Sequence, residues 1–351
     1  MTDTAEAIIR VTGRAGRITL NRPKALNALT HDMCLAIEAA LDAWRDDDGV
    51  TVVVIDAEGD RAFCAGGDIA KLYETGRAGD FSYGQTFWAD EYRLNAKIFA
   101  YPKPVVSFLQ GFTMGGGVGV GCHGSHRIVG DSSQIAMPEC GIGLVPDVGG
   151  SLMLALAPGR LGEYLGLTAA RMDAGDAIHA GFADRYIPET EWPELITGLE
   201  ETGSVAGIAA ATQDAPPSTL AGRQADIDRL FTGEALEDIV TDLKADGGDL
   251  AQSALKAIGR NAPLAMACAV EMVHRLRGPS LSIEKALDLE YRYTSRAMEK
   301  GDFLEGIRAQ IIDKDRNPKW QYADGPVPVA AVAAMLRPLG ENALKLGGDA
   351  P

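Results

Sequence analysis

The chain lacks any run of about 18 apolar residues, so no helix written in it is long and greasy enough to cross a bilayer. Its first residues, MTDTAEAIIRV, lack the basic flank and apolar stretch of a secretion signal. The five cysteines (Cys34, Cys64, Cys122, Cys140, Cys268) are odd in number, far apart and without a C-x-x-C pairing, which argues against a disulfide framework or a zinc site. Basic charge is scarce too. With 33 Lys and Arg against 49 Asp and Glu, the formal charge is -16, and an acidic chain of this kind carries no footprint for nucleic acid or for an anionic membrane surface. A soluble protein of a reducing cytoplasm is expected, with no internal repeat and no low-complexity tract beyond a tail rich in Gly and Pro.

What is present is ample material for a core: 351 residues, 46% of them hydrophobic. Residues 7–11 and 17–20 are short β-prone stretches separated by TGRAG at 12–16, which reads as a hairpin turn. Thr30 is a candidate N-cap for a helix carrying Met33, Leu35, Ile37, Leu41 and Trp44 near helical spacing, ending at the acidic cluster 46–49. TVVVI at 51–55 and PVVSFL at 104–109 are continuous β-rich runs of the kind buried in parallel sheets. Each is followed by glycines, AGGD at 65–68 and MGGGVG at 114–119, so that strand, glycine turn and helix are written twice. Shorter strand candidates lie at 126–129 and 134–136, and helical patterns begin near Gly149 and Asp173. Strands alternating with helices over the first 200 residues predict an α/β fold with βα crossovers. Past residue 203 the pattern is helical or irregular, with a linker at 213–218 and a long helix at 280–298. The expected division is therefore a core at 1–202 and a mainly helical region at 203–351.

Glycines at 66–67 and 115–117 let backbone amides approach a ligand closely. A thioester carbonyl gains charge on oxygen when attacked or enolised, and each preorganised amide aimed at that oxygen is worth roughly 3–4 kcal/mol. Ordinary tight turns and a generic phosphate cradle are the competing readings. A dinucleotide fingerprint fits poorly, because neither loop reads G-x-G-x-x-G with an acidic residue some 20 positions on.

In order and approximate spacing, ITLNRP (18–23) with LNAL (26–29), AFCAGGDI (62–69) and GGGVG (115–119) resemble the crotonase, or enoyl-CoA hydratase/isomerase, superfamily. The resemblance implies a spiral of ββα turns with a helical C-terminal part, and an acyl-CoA substrate whose thioester oxygen sits between the amides of Gly67 and Gly116. It also implies that Lys24, Ala25 and Leu26, with Ala65, Asp68 and Ile69, cradle the nucleotide end of coenzyme A. Coenzyme A is then part of the substrate, and no metal or other cofactor is expected. Homo-oligomers are the implied assembly, although the long C-terminal part is a candidate to cover the usual interface within one subunit.

Within the superfamily, the 3-hydroxyisobutyryl-CoA hydrolases are the most similar branch. MPECGIGLVPDVGG (137–150), EYRLN (91–95) and the tail DKDRNPKW (313–320) carry that likeness. A hydratase uses two glutamates, and here Gly119 stands at the first of those positions while Glu139 stands at the second. Without a positioned acid or base, a step typically loses a factor of roughly 10²–10⁴. The expected reaction is therefore hydrolysis of a short 3-hydroxyacyl-CoA, 3-hydroxyisobutyryl-CoA of valine breakdown first of all, with Glu139 as nucleophile or general base. Asp147 is expected to bind the substrate hydroxyl or to orient water, a role that competes with capping the following helix; Glu91 is expected to contact substrate. An isomerase or hydratase of the same superfamily, and a non-catalytic acyl-CoA-binding protein, are the alternatives. His123 is expected to be a packed histidine rather than a partner of Cys122 or Ser125, and Arg308 and Lys314 to be solvated charges.

Overall fold

In a computed structural model, residues 5–279 and 281–347 are described. Two compact units interleave along the chain: one takes in the chain up to Gly67 with Arg93–Ala136 and Arg171–Ala221, the other Asp68–Tyr92, Met137–Ala170 and the chain from Gly222 on. Neither coincides with the division at residue 202 expected from where the strand pattern stops.

Every strand among the described residues lies in the first unit: β1 (Ala7–Thr12), β2 (Ala15–Leu20), β3 (Val52–Ala57), β4 (Ala62–Cys64), β5 (Val105–Phe108), β6 (Phe112–Met114), β7 (His126–Val129), β8 (Gln134–Ala136) and β9 (Arg185–Tyr186). They form a six-stranded sheet in the order β1-β2-β3-β5-β7-β9 and a three-stranded sheet in the order β4-β6-β8. The β1–β2 hairpin is antiparallel and every other pairing is parallel. Its turn shrinks to Gly13 and Arg14, because Thr12 and Ala15 already pair.

The VVVI run is buried on both faces, as a central parallel strand requires. Val52 and Val54 point to one side with Val106, Phe108 and Ile128, and there they meet Trp192, Leu199 and Ile208 of the helices Trp192–Thr202 and Ala206–Ala211. Each such side chain stabilises the fold by about 1.5–3 kcal/mol through burial. The helix His31–Arg45 begins where the sequence places it, with the Thr30 hydroxyl accepting from the Met33 amide at 3.2 Å.

Three short strands, β4, β6 and β9, were not expected. β4 and β6 matter most, since the glycine segments follow them and not the long strands β3 and β5 directly; the repeating unit is strand, strand, helix. The second unit is helical. Its long helix runs Ile283–Lys300 with Ser282 as N-cap, while the expected start at Ser280 lies outside the described residues. No helix among the described residues is long and apolar enough to cross a membrane.

Candidate active site

In the first unit, β4 and β6 pair in parallel, with Cys64 opposite Thr113. Both glycine loops therefore leave the carboxyl ends of neighbouring parallel strands, the end at which open α/β sheets place their ligands. Gly116 opens the helix Gly116–Gly121, so its amide has no partner within that helix. A side chain at Gly117 would place its Cβ 2.1 Å from the Cys64 carbonyl oxygen, which is why the two loops can lie so close. The Leu29 amide donates to the Gly66 carbonyl at 2.9 Å and the Ala65 amide to the Leu26 carbonyl at 3.0 Å, tying the first loop to residues 26–29. Leu26 and Asn27 are both left-handed (φ 52° and 54°). The Asn27 side chain makes that bend durable: its amide donates to the carbonyls of Glu58 (3.0 Å) and Ala62 (2.9 Å), and its oxygen accepts from the Arg22 amide (2.7 Å). Lys24 and Ala25, in the short 3-10 helix before it, are exposed; Leu26, Ala65 and Gly67 are half-buried.

In the second unit lie Asp68 and Ile69, which lead into the helix Ala70–Arg77, and the three carboxyls singled out from the sequence. Glu91 sits on the helix Ser82–Phe99, Glu139 opens the 3-10 helix Glu139–Ile142, and Asp147 precedes the helix Gly150–Leu156. All three are buried, at 3%, 4% and 4% exposure. A fourth carboxyl, Glu290 of the helix Ile283–Lys300, is fully buried with them.

Among the described residues, no cation acts on this cluster. Burial, then the charges of Asp147, Glu290 and Glu91, push Glu139 well above the ordinary carboxylate range. Burial followed by Asp147 and Glu290 does the same to Glu91. Asp147 is pushed by burial up to about 7, against the opposing hydrogen bonds of Tyr92 and of its own backbone. Four such groups cannot all be charged at neutral pH, and the cluster therefore holds protons. Carboxyls displaced this far toward neutrality suit acid–base work near pH 7.

Hydrogen bonding distinguishes Asp147, Glu290 and Glu139. The Tyr92 hydroxyl donates to Asp147 Oδ2 at 2.6 Å, and Thr294 Oγ1 lies 3.4 Å from the same phenol oxygen. Glu290 receives the Gly149 amide (2.8 Å), the Ser151 amide (3.1 Å) and the Ser151 hydroxyl. Glu139 Oε2, by contrast, is buried without a hydrogen-bond partner. A buried carboxylate oxygen left unpaired is costly and calls for an explanation, and a docking substrate group supplies one.

The capping alternative for Asp147 fails: the helix Gly150–Leu156 is capped by Gly149 without a side-chain bond, and the Asp147 side chain is engaged by Tyr92. The turn itself is strained. Val148 has φ 55°, a left-handed conformation that costs a β-branched residue on the order of 1–3 kcal/mol, and Gly149 follows at φ 79°. Such strain persists only where the surroundings impose it.

Of the remaining residues singled out, His123 is buried edge-on to Phe99 with ring centroids 6.0 Å apart, as a packed histidine. Arg308 is a correction: it is no solvated charge but is ion-paired with Glu305 (2.8 Å), Asp313 (2.7 Å) and Asp315 (2.8 Å), bracing the start of the tail. Tyr92, Ser151 and Glu290 escaped notice in the sequence. Glu290 had a signal, since it interrupts the buried stripe Ile283, Ala286, Leu287, Tyr293, Ala297 at helical spacing, where an acid is out of place.

Comparison with known proteins gives the family. The family model described as enoyl-CoA hydratase/isomerase matches residues 15–336. A zebrafish (Danio rerio) protein named 3-hydroxyisobutyryl-CoA hydrolase, mitochondrial, is 38% identical over 90% of this chain and 85% of its own length. The chicken (Gallus gallus) protein of that name is 36% identical over 97% of this chain and 91% of its own length. Among solved structures, one titled an enoyl-CoA hydratase from Rhodobacter sphaeroides is 58% identical with a TM-score of 0.93, covering 97% of this chain and 100% of its own. One titled a carnitinyl-CoA dehydratase from Mycobacterium thermoresistibile is 41% identical with a TM-score of 0.92, covering 99% of this chain and 100% of its own. The chain belongs to the enoyl-CoA hydratase/isomerase family and has the crotonase fold.

Proposed function

We propose that the protein hydrolyses a short 3-hydroxyacyl-CoA thioester, with 3-hydroxyisobutyryl-CoA as the preferred substrate, releasing the hydroxyacid and coenzyme A. One observation carries the reading: the acids gather around Glu139, whose Oε2 is buried and unpaired, while the helix Gly116–Gly121 carries no acid at all. Hydration across a double bond calls for a second carboxylate on that helix, at the place Gly119 occupies. The names of the zebrafish and chicken relatives support the same reaction.

In this reading the amides of Gly67 and Gly116 take the thioester oxygen, and Lys24, Ala25, Leu26, Ala65, Asp68 and Ile69 take the nucleotide end of coenzyme A. Glu139 either attacks the carbonyl carbon, giving an anhydride that water then opens, or removes a proton from the attacking water. Both routes break the C–S bond, with the thiolate leaving as the tetrahedral carbon collapses and taking up a proton. Asp147, aimed by the Tyr92 hydroxyl, binds the 3-hydroxyl or the water, and Glu91 lines the acyl pocket.

Turnover in ¹⁸O-water tests the reaction. Free thiol and ¹⁸O in the product carboxyl are expected; label on the acyl chain with the thioester intact would overturn the reading. A single turnover separates the two routes, since only the anhydride route can leave label in Glu139. The titles of the Rhodobacter and Mycobacterium structures favour a second reading, addition or removal of water beside an intact thioester, and that is the outcome the label on the chain would reveal.

A further inference from the structure

Glu290 lies outside the residues assigned to chemistry above, yet it is the most heavily hydrogen-bonded carboxyl of the cluster. It takes the amides of both Gly149 and Ser151 and the Ser151 hydroxyl. Those donors bracket the far side of a turn whose near side is Asp147 and whose middle, Val148, is held at φ 55°. A relaxed chain would rotate Val148 back to negative φ and swing Asp147 away from Tyr92. The helix Gly150–Leu156 cannot prevent that by itself, because its cap, Gly149, contributes no side chain. Holding both amides at once fixes the Val148–Gly149 and Gly150–Ser151 peptide planes, and with them the direction in which the chain leaves Asp147.

We infer that Glu290 is a positioning residue for the reaction: its carboxylate clamps the turn at residues 148–151 and so aims Asp147 into the site. The titratable groups around it are Asp147 on the turn itself, Glu91 and Tyr92 on the helix Ser82–Phe99, and Glu139 on the 3-10 helix, with no cation acting on it from any of these. The inference rests on the reading of Asp147 and Glu139 as reacting groups.

The test is Glu290→Gln, which keeps the shape but turns an amide N–H toward donors that need an acceptor. In thiol release from 3-hydroxyisobutyryl-CoA, kcat is expected to fall at least about tenfold while KM changes less than about threefold, because aim is lost and binding is not. That kcat-against-KM split is a change that loosened packing of the whole site would not produce. An unchanged kcat in the folded variant would overturn the inference. If Glu290→Gln does not fold, Ser151→Ala removes one donor only; a fall in kcat of about fivefold supports the clamp, and parental kcat refutes it. A crystal structure of Glu290→Gln, or of Ser151→Ala in its place, gives a readout without substrate. Loss of the left-handed Val148 and of the Tyr92–Asp147 bond supports the clamp, and retention of both overturns it. Because that readout needs no turnover, it stands apart from the hydrolase reading, which thiol release by the parent enzyme tests.

Discussion

Glu163 and Glu290 are two glutamates buried in the same helical unit, and their surroundings are opposite. Glu163, 1% exposed, takes Arg160 (2.9 Å), Arg277 (2.5 Å) and His274 (3.2 Å) around one carboxylate. Burial would raise it, but the His274 hydrogen bond, the Arg277 charge and the Arg160 hydrogen bond outweigh that and hold it below the ordinary range. Glu290 has no cation beside it among the described residues, shares its space with other carboxyls, and burial pushes it up to about 8. The first arrangement is what a fold does with a buried charge it must keep; the second gathers carboxyls with no counter-charge, and no gain in stability explains it. A site that must bind and turn over a substrate explains it well.

The contrast can be broken by substitution. Glu139→Gln is expected to lower kcat by roughly 10²–10⁴ with little loss of stability, measured as thiol release beside a denaturant midpoint. Glu163→Ala should do the reverse: removing one member of a buried ion cluster strands the two arginines and costs about 3–5 kcal/mol in urea unfolding, with kcat per folded molecule retained. Asp147→Asn, which keeps an acceptor for the Tyr92 hydroxyl, should cost about 10- to 100-fold in kcat. Parental activity there would reduce Asp147 to a structural group.

The smallest effect is a difference in pH dependence. Asp147 is held up to about 7 in the fold, against roughly 3.9 in an unfolded chain. A raised carboxyl favours the folded state fully below the unfolded value, and that contribution is lost as pH rises toward the folded one. Asp147→Asn should therefore gain stability relative to the parent between about pH 4 and 7 and hold level above. Glu163, being lowered, works the other way, its contribution present above the unfolded value and lost as pH falls through the folded one. A stability difference independent of pH would contradict the assignment for Asp147.

Much of this was legible in advance, for physical reasons that differ by residue. The long buried runs at 51–55 and 104–109 announce central strands because nothing else buries both faces of a short extended segment. β4 and β6 did not announce themselves: three residues each and running on into the glycine loops, they carry too little pattern to be told from the loops they feed. Gly67, Gly116 and Glu139 were singled out through glycine chemistry and family likeness, and Gly117 acquires its reason only from the 2.1 Å approach to Cys64. Tyr92 stayed hidden because a buried tyrosine on a helix is ordinary until the partner of its hydroxyl is known. Glu290, 143 residues from Asp147 in the chain, could be suspected from its helix stripe but not paired with anything.

The most direct measurement is to give the enzyme 3-hydroxyisobutyryl-CoA and crotonyl-CoA in parallel, following free thiol and enoyl absorbance together. Thiol release from the hydroxyacyl ester, with the enoyl ester left untouched, is the result expected. Loss of enoyl absorbance without thiol release would contradict it and place the chain with the hydratases whose fold it shares.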